Sequence, residues 1–401
     1  MANNLSSFKK EIRDRRIQMD LNKSLVALPL ARFGFSEVTG ATRFNRPKKA
    51  RLYSVSYTAE TAMSTQSLVA SNEYLDVDQT KAVHFFIDDT QKLESNYDIY
   101  AEYAPEATYA LRNEMDWKFL AEVTNAFYTV GKLDIEGSGV NTSGITLTTS
   151  LVTKMLSFAK AKLVQNRVET TTPFFVVLDP MDASFWEQYL TGTGNVVADT
   201  TLRNGYLTTL WALGLDVYVS NNLRHTITFT STKNVAEGDA ITIGSQKFTW
   251  NATPSGAGSV DLGATEEKSI DNMVAAINAA GTVGTTYIDI TQDERAKLKQ
   301  NLVTATKVDA HSFTITTAGF VSITETTDSW TAFSFGEHQR LALLWQKGCI
   351  DMVIQKNVQS ESQRGTSNGL IGEYVTTWTR YGIKTFEEGK QRMVAIRIKA
   401  A

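Results

Sequence analysis

The chain has one cysteine, Cys349, among 401 residues. A disulfide framework needs two thiols and a Cys-based zinc site needs several, so both are excluded. Histidine is scarce as well. His84, His225, His311 and His338 are the four present, and no pair has the spacing of a metal or triad signature. The patterns G-x-x-x-x-G-K-[ST] and G-x-G-x-x-G are missing. No apolar run approaches the ~18 residues of a membrane span. The opening MANNLSSFKKEIRDRRIQMD lacks the apolar core of a secretion signal. These absences lead us to expect a soluble protein of a reducing cytoplasm that is not an enzyme, with no catalytic residues, no cofactor, no metal and no membrane contact.

What is present describes a large folded protein. Apolar residues make up 42% and aromatics 10%, enough for sizeable cores. At this length two or three domains are expected. A net charge of −3 argues against a protein whose main task is gripping a phosphate backbone, though local basic patches remain open.

The pattern changes several times along the chain. Residues 1–50 read as an arm, with a basic stretch at Lys9, Lys10, Arg13, Arg15 and Arg16 and a second at Arg43, Arg46, Lys48 and Lys49. It is either a solvated tail or a segment that orders against a neighbour or inside a nucleic-acid container. Residues 51–90 read as extended: RLYSVSY, a small polar stretch from Ala59 to Gln66, then YLDVD and AVHFFI. A long hairpin with a flexible tip accounts for this order. Residues 91–130 carry the clearest helical stripe: Tyr97, Ala101, Ala104, Thr108, Leu111, Met115 and Glu122, widened by Leu93, Phe119, Val123 and Ala126. Pro105 either kinks this helix or opens a second one. Glu114, Asp116, Lys118 and Glu122 read as its solvated face.

Residues 147–223 alternate: a helix at Leu151–Leu163, a strand at Phe174–Leu178, a helix at Asp182–Leu190, a Gly214 bend and a strand at Leu215–Val219. Residues 224–336 differ in character. They are rich in Thr and Gly, with short β patterns at 227–229, 241–243, 248–250 and 313–315 and one helix at Ser269–Ala280. Such a block between two halves of another pattern reads as an inserted domain. Beyond it, Glu337–Gln346 reads as a helix, and Cys349–Val358, Tyr374–Lys384 and Met393–Ile398 as strands.

The tempting polar clusters have plain structural readings. Adjacent carboxylates at a strand end, as in Asp88-Asp89, point to opposite sides and suit a turn or helix start. Asp179-Pro180 and Asp182 suit a helix cap. Cys349, among apolar residues, reads as an inert packed thiol. The sequons at Asn141 and Asn251 mean little without a secretion signal.

Several segments stand in an order that resembles one family. NGYLTTLWALGLDVYVSNNL is similar to the A-domain segment of tailed-phage major capsid proteins. TKAVHFFIDDTQKLESNYDIYAEYAPEATYALRNEMDWKFL resembles their strand, acidic turn and long spine helix, closing at Asp116. PFFVVLDPMDASFWEQYL resembles the A-domain strand and helix. HQRLALLWQKGCIDMVIQKNVQSESQR and YVTTWTRYGIKTF resemble the carboxy-terminal helix and closing strands, ending in Tyr381-Gly382. Residues 50–223 and 337–401 carry the likeness, through the order of packing patterns rather than any single motif. GDAITIGSQKFTW and MVAAINAA in the inserted block resemble small accessory domains of phage structural proteins.

The resemblance implies an α+β Hong Kong 97-type capsid fold. Its parts would be an N-terminal arm (1–50), an E-loop hairpin and P-domain strand (51–90), a P-domain with spine helix (91–146), an A-domain (147–223), a β-rich insertion domain (224–336) and return strands of the A- and P-domains (337–401). It implies a major capsid protein in the virion, assembled in the host cytoplasm as hexamers and pentamers into an icosahedral shell around double-stranded DNA. Implied partners are further copies of itself, a portal, and scaffold or decoration proteins. On this reading Lys9, Lys10, Arg13, Arg15 and Arg16 face the DNA without reading its sequence, and Thr61, Met63, Gln66 and Leu68 make inter-subunit contacts. The alternatives are an encapsulin-type nanocompartment shell, which shares the fold, and a surface adhesin or tail component, suggested by the Thr-rich block alone.

Overall fold

The computed structural model describes residues 23, 25–33, 42–49, 52–60, 62–63, 65–66, 68, 70–94, 98–166, 168–170, 172–192, 214–326, 333–365 and 371–400. Its centre is the strand Gln339–Gln346 (β15), QRLALLWQ, buried along nearly its whole length. This corrects the helix expected over 337–346. Leu and Ala are good helix formers, but an uninterrupted apolar run is equally the mark of a strand covered on both faces, and packing decides.

β15 joins two halves of the molecule. Along one edge it pairs antiparallel with Met393–Lys399 (β18). Along the other, its first residues pair with Arg224–Ser231 (β7) and its last with Phe174–Leu178 (β5). β5 continues in parallel to Leu215–Val219 (β6), and β18 to Tyr128–Val130 (β4). Two apolar layers cover the sheet. Val176, Leu178, Leu344 and Ile396 pack against Thr149–Gln165 (α5) and Pro180–Gly192 (α6). The alternate residues Phe175, Val177, Leu343, Trp345 and Ala395 pack against Phe119, Leu120 and Val123. The run FFVVL is therefore apolar at every position because both of its faces are buried.

The long helix Ile99–Ala121 (α3) is capped by Asp98, whose side chain accepts from Ala101 N at 3.2 Å. It carries Pro105 without ending, on an exposed turn where water can satisfy the freed carbonyl. A 3-10 turn, Glu122–Asn125, follows. Two sequence readings of this helix fail. Leu93, in the preceding short helix Asp89–Glu94 (α2), is 87% exposed, so it does not widen the stripe. Asp116 is not solvated but buried. Tyr97 lies outside the described residues.

Beside α3 stands a three-stranded antiparallel sheet: Ile350–Gly365 (β16), Gly372–Thr385 (β17) and Gln79–Asp88 (β3). Arg43–Lys49 (β1) pairs with Ala70–Asp76 (β2) from Arg43↔Asp76 to Lys49↔Ala70. The hairpin expected within residues 51–90 thus has its first leg on the second basic stretch, which the sequence pattern assigns to the arm. Leu52–Tyr57 belong instead to the long loop between the legs and form no strand.

The block after β7 builds its own core. Ala240–Ile243 (β8), Gln246–Asn251 (β9), Ser259–Asp261 (β10) and Ile323–Thr326 (β13) form a four-stranded sheet. Glu266–Asn278 (α7) packs over it, bringing Ile270, Met273 and Ile277 to Phe248, Trp250 and Val260. Gln292–Gln300 (α8) is a helix the sequence reading missed, although Thr291 and Glu294 form a complete capping box. Thr304–Lys307 (β11) and Ser312–Ala318 (β12) extend the β7 edge. The block is thus joined to the central sheet through β7 and β15 while keeping a separate apolar cluster.

Candidate assembly surface

The β1–β2 hairpin is fixed at its base and free at its tip. Phe44, Leu75 and Val77 bury themselves against Val353 and Phe386. Glu73 accepts from Glu387 N at 3.0 Å, and Lys384 Nζ donates to Tyr74 O. β17 passes so close that a Cβ at Gly382 would collide with the Asp76 carbonyl and Leu75. Past the legs the loop exposes one large apolar side chain after another: Leu52, Tyr53, Val55, Tyr57, Met63 and Leu68. Gln66 crosses the loop. Its Oε1 accepts from Tyr53 N at 3.1 Å and its Nε2 donates to Tyr53 O at 2.5 Å.

Of the predicted contact residues, Met63 and Leu68 are exposed, Leu68 at 82%, and Gln66 is half-buried in this amide pair. Thr61 lies outside the described residues, as do Lys9, Lys10, Arg13, Arg15 and Arg16. Exposed large apolar residues are thus concentrated on one loop, in contrast to single ones scattered over the rest of the described surface.

A groove of about 1070 Å³ lies between α3, β3 and α8. Phe85, Tyr103, Tyr109 and Trp117 form one wall, and Ala296, Leu298 and Leu302 the other. Lys23 stands at its rim. Its backbone N–H donates to Tyr109 Oη at 2.7 Å and its ammonium to Ala318 O at 2.7 Å, so it ties α3 to the end of β12. Burial lowers its pKa to about 8.

Two buried polar clusters went unrecognised in the sequence. In the first, Asn222 Nδ2 donates to Asn113 Oδ1 at 2.7 Å and to Asp116 Oδ2 at 2.9 Å, while Asp116 Oδ1 accepts from Val26 N at 2.8 Å. The turn after β6 is thereby fixed to the spine helix. In the second, Arg340 on β15 donates to Asp182 Oδ1 at 2.6 Å and lies 3.8 Å from Asp179. His225, the cross-strand neighbour of Arg340, is 3.4 Å from Asp179, and its ring meets that of His338 at 5.4 Å. Burial lifts Asp182 to about 7 against the pull of Arg340, and burial presses His338 down to about 4. Burial also works to raise Asp179, but His225, the Met181 N–H and Arg340 together hold it below the usual carboxylate range. The cluster sits where β7, β15 and α6 meet, with Asp179, Asp182, His225 and Arg340 buried, His338 half-buried, and both carboxylates beside Arg340. It is a structural junction, and it lacks the geometry of a nucleophile beside a free base.

The remaining chemical candidates have structural roles. Asp88 Oδ1 accepts from Thr90 N at 2.8 Å and starts α2, and Asp89 pairs with Arg364 at 2.8 Å. Asp179 caps α6 through Met181 N at 3.0 Å, with Pro180 in the first turn. Asp182, expected to share that cap, pairs with Arg340 instead. Cys349 is buried, and burial raises its thiol to about 12. Among the described residues no three His, Cys, Asp or Glu side chains come together as a metal site, and no helix is long and apolar enough to cross a membrane.

No family profile matches the sequence, and no curated protein does. The architecture does have counterparts among solved structures. The chain superimposes on a structure of Mycobacterium phage Che8 with a TM-score of 0.59 at 12% identity, covering 97% of each chain. It matches the capsid structure of cyanophage P-SCSP1u with a TM-score of 0.54 at 9% identity, covering 100% of this chain and 96% of that one. It matches the mature capsid of bacteriophage PhiM1 with a TM-score of 0.52 at 11% identity, covering 98% and 93%. The fold is that of the Hong Kong 97-type phage capsid proteins, an α+β architecture.

Proposed function

We propose that this chain is the major capsid protein of a tailed phage, a subunit that assembles with copies of itself into a closed shell. One observation carries the reading. The likeness to capsid structures runs over nearly the whole of both chains, and the projecting hairpin it includes displays apolar side chains that its own subunit leaves uncovered. A two-stranded ribbon with a long loop is marginal by itself in water. Laid across a neighbour, Leu52, Tyr53, Tyr57, Met63 and Leu68 would lose their exposure, at roughly 25 cal/mol per Å² of apolar surface. Repeated by symmetry, such a contact needs no active site.

In this reading hexamers and pentamers form an icosahedral shell, with a portal at one vertex and scaffold or decoration proteins as further partners. Lys9, Lys10, Arg13, Arg15 and Arg16 would neutralise phosphates of packaged double-stranded DNA without reading bases. Residues 224–336 would be an accessory domain. Its separate apolar cluster supports that reading, and its continuity with β15 supports a fixed placement on the subunit. The protein would act in the virion after assembly in the host cytoplasm.

The test is sedimentation and electron microscopy of the purified full chain, expressed with portal and any scaffold supplied. Closed particles holding nuclease-protected DNA are expected in the infected host. Monomers or dimers alone would overturn the shell reading, and particles filled with protein cargo would overturn the virion reading.

A further inference from the structure

The charged contacts of the hairpin are of two kinds, and Lys48, 3.9 Å from Glu73, makes one within the hairpin. Arg43 and Asp76 pair across the legs at 2.6 Å, within the hairpin and exposed. Arg46 reaches out of it. Its Nη1 donates to Asp351 Oδ2 at 2.9 Å, its Nη2 donates to Glu388 Oε2 at 3.3 Å, and its guanidinium lies 5.1 Å from the centre of the Phe386 ring. Asp351 is the second residue of β16 and is 2% exposed. Its other oxygen faces Arg32 Nε at 3.7 Å. Arg32 is held beside it by the backbone bonds Arg32 N to Ile350 O and Met352 N to Arg32 O, both 3.0 Å.

One buried carboxylate therefore receives an arginine from the chain before the hairpin and another from the hairpin itself. A carboxylate is costly to bury unless it is paired, and the planar guanidinium makes such a pair directional. β2 has further tethers at Glu73 and Tyr74, while β1 meets the body through Phe44 and Arg46. The side of the hairpin that leads into its loop is thus aimed by the Asp351 pair.

We propose that Asp351 is a positioning residue. It sets the direction in which the loop residues 52–60 leave the body, and through Arg32 it links that direction to the placement of residues 25–33 before the hairpin. The consequence for assembly rests on the shell reading, because hairpin direction would then set the angle between subunits. The lock itself does not rest on that reading.

The test uses the unassembled full chain with spin labels at Leu68→Cys and Phe127→Cys, two exposed positions, while the buried Cys349 stays unlabelled. Asp351→Asn and Arg46→Gln should each broaden the label distance distribution. Each should also raise amide exchange over 44–49 by about tenfold or more, as expected when a pair with one buried partner is broken. Arg43→Gln should change neither. Arg32→Gln should have a smaller effect than Arg46→Gln and add nothing in the Asp351→Asn background, the mark of a shared partner. If Asp351→Asn fails to fold, Arg46→Gln decides, because it lies on the hairpin. Unchanged distances and exchange in Arg46→Gln, an equal effect of Arg43→Gln, or additive Arg32 and Asp351 effects would overturn the proposal. A loosened hairpin in a chain that never forms shells would leave the lock standing and remove the shell reading.

Discussion

Asn222, in the turn after β6, donates from a single amide nitrogen to both Asn113 and Asp116 on the spine helix, two elements more than a hundred residues apart. Backbone and side chain cooperate there, since Asn222 N also donates to Ser220 Oγ at 3.1 Å. A buried donor shared by two acceptors is hard to replace. Asn222→Ala should lower unfolding stability by about 2–3 kcal/mol. Asn222→Asp should lower it further, because it sets a second carboxylate against Asp116. Chemical denaturation checks both, and a loss under about 0.5 kcal/mol in both variants would show that this bond does not fix the turn.

The junction of β7, β15 and α6 makes a prediction in pH. Near pH 5.5 folded His338, pressed to about 4, has shed a proton that the unfolded chain still holds. Its contribution is full above about pH 6.5 and is lost as pH falls toward about 4. Asp182, lifted to about 7 from an ordinary 3.8, keeps a proton that the unfolded chain has lost. Its contribution is full below that ordinary value and is lost as pH rises through about 7. The two slopes oppose each other between about pH 4 and 6.5. Relative to the parent, His338→Gln should lose stability as pH rises through this window, and Asp182→Asn should gain it. Urea unfolding across the window reads the sign, and curves parallel to the parent in both variants would contradict the assignment.

Above about pH 7, where Asp182 is ionised, Arg340→Met should be more damaging than either, because it leaves that carboxylate buried with its charge partner gone. A loss of about 3–5 kcal/mol is expected. A thermal midpoint equal to the parent's would mean that the ion pair holds nothing.

Residues 224–336, expressed alone, should fold around Phe248, Trp250, Ile270 and Phe313. Dispersed amide resonances and blue-shifted Trp250 emission are the expected signs. A random-coil spectrum would show that the block depends on its pairing with β15.

Much of the fold was legible because its signals are local. Phe174–Leu178, the α5 and α6 helices, β17 and β18 follow from apolar period and length. β15 was misread because LALLW satisfies helix propensity and buried-strand burial equally, and the covering layers that decide between them come from residues far away in sequence. The first hairpin leg was misplaced for a similar reason. Arg43, Pro47 and Lys49 look like arm, and only pairing with Ala70–Asp76 makes them strand. Asp116 read as surface because a charged residue among Glu114 and Lys118 normally is, and its partner lies at Asn222. The Asp351 pair is equally non-local, since Arg46 stands 305 positions away.

Deleting Thr61–Val69 should leave a soluble, folded subunit, because among the described residues none of the five apolar clusters draws on this segment. Assembly should fail. In the intact protein, amide exchange over the described loop residues should slow on assembly far more than over α3. Equal protection of both in the free subunit would remove the hairpin from the contact.

The central claim is most directly tested by cryo-electron microscopy of particles formed by the full chain. An icosahedral reconstruction is predicted, in which the loop carrying Tyr53, Met63 and Leu68 lies on an adjacent subunit. The absence of any closed particle, or a shell in which that loop touches no neighbour, would contradict the account.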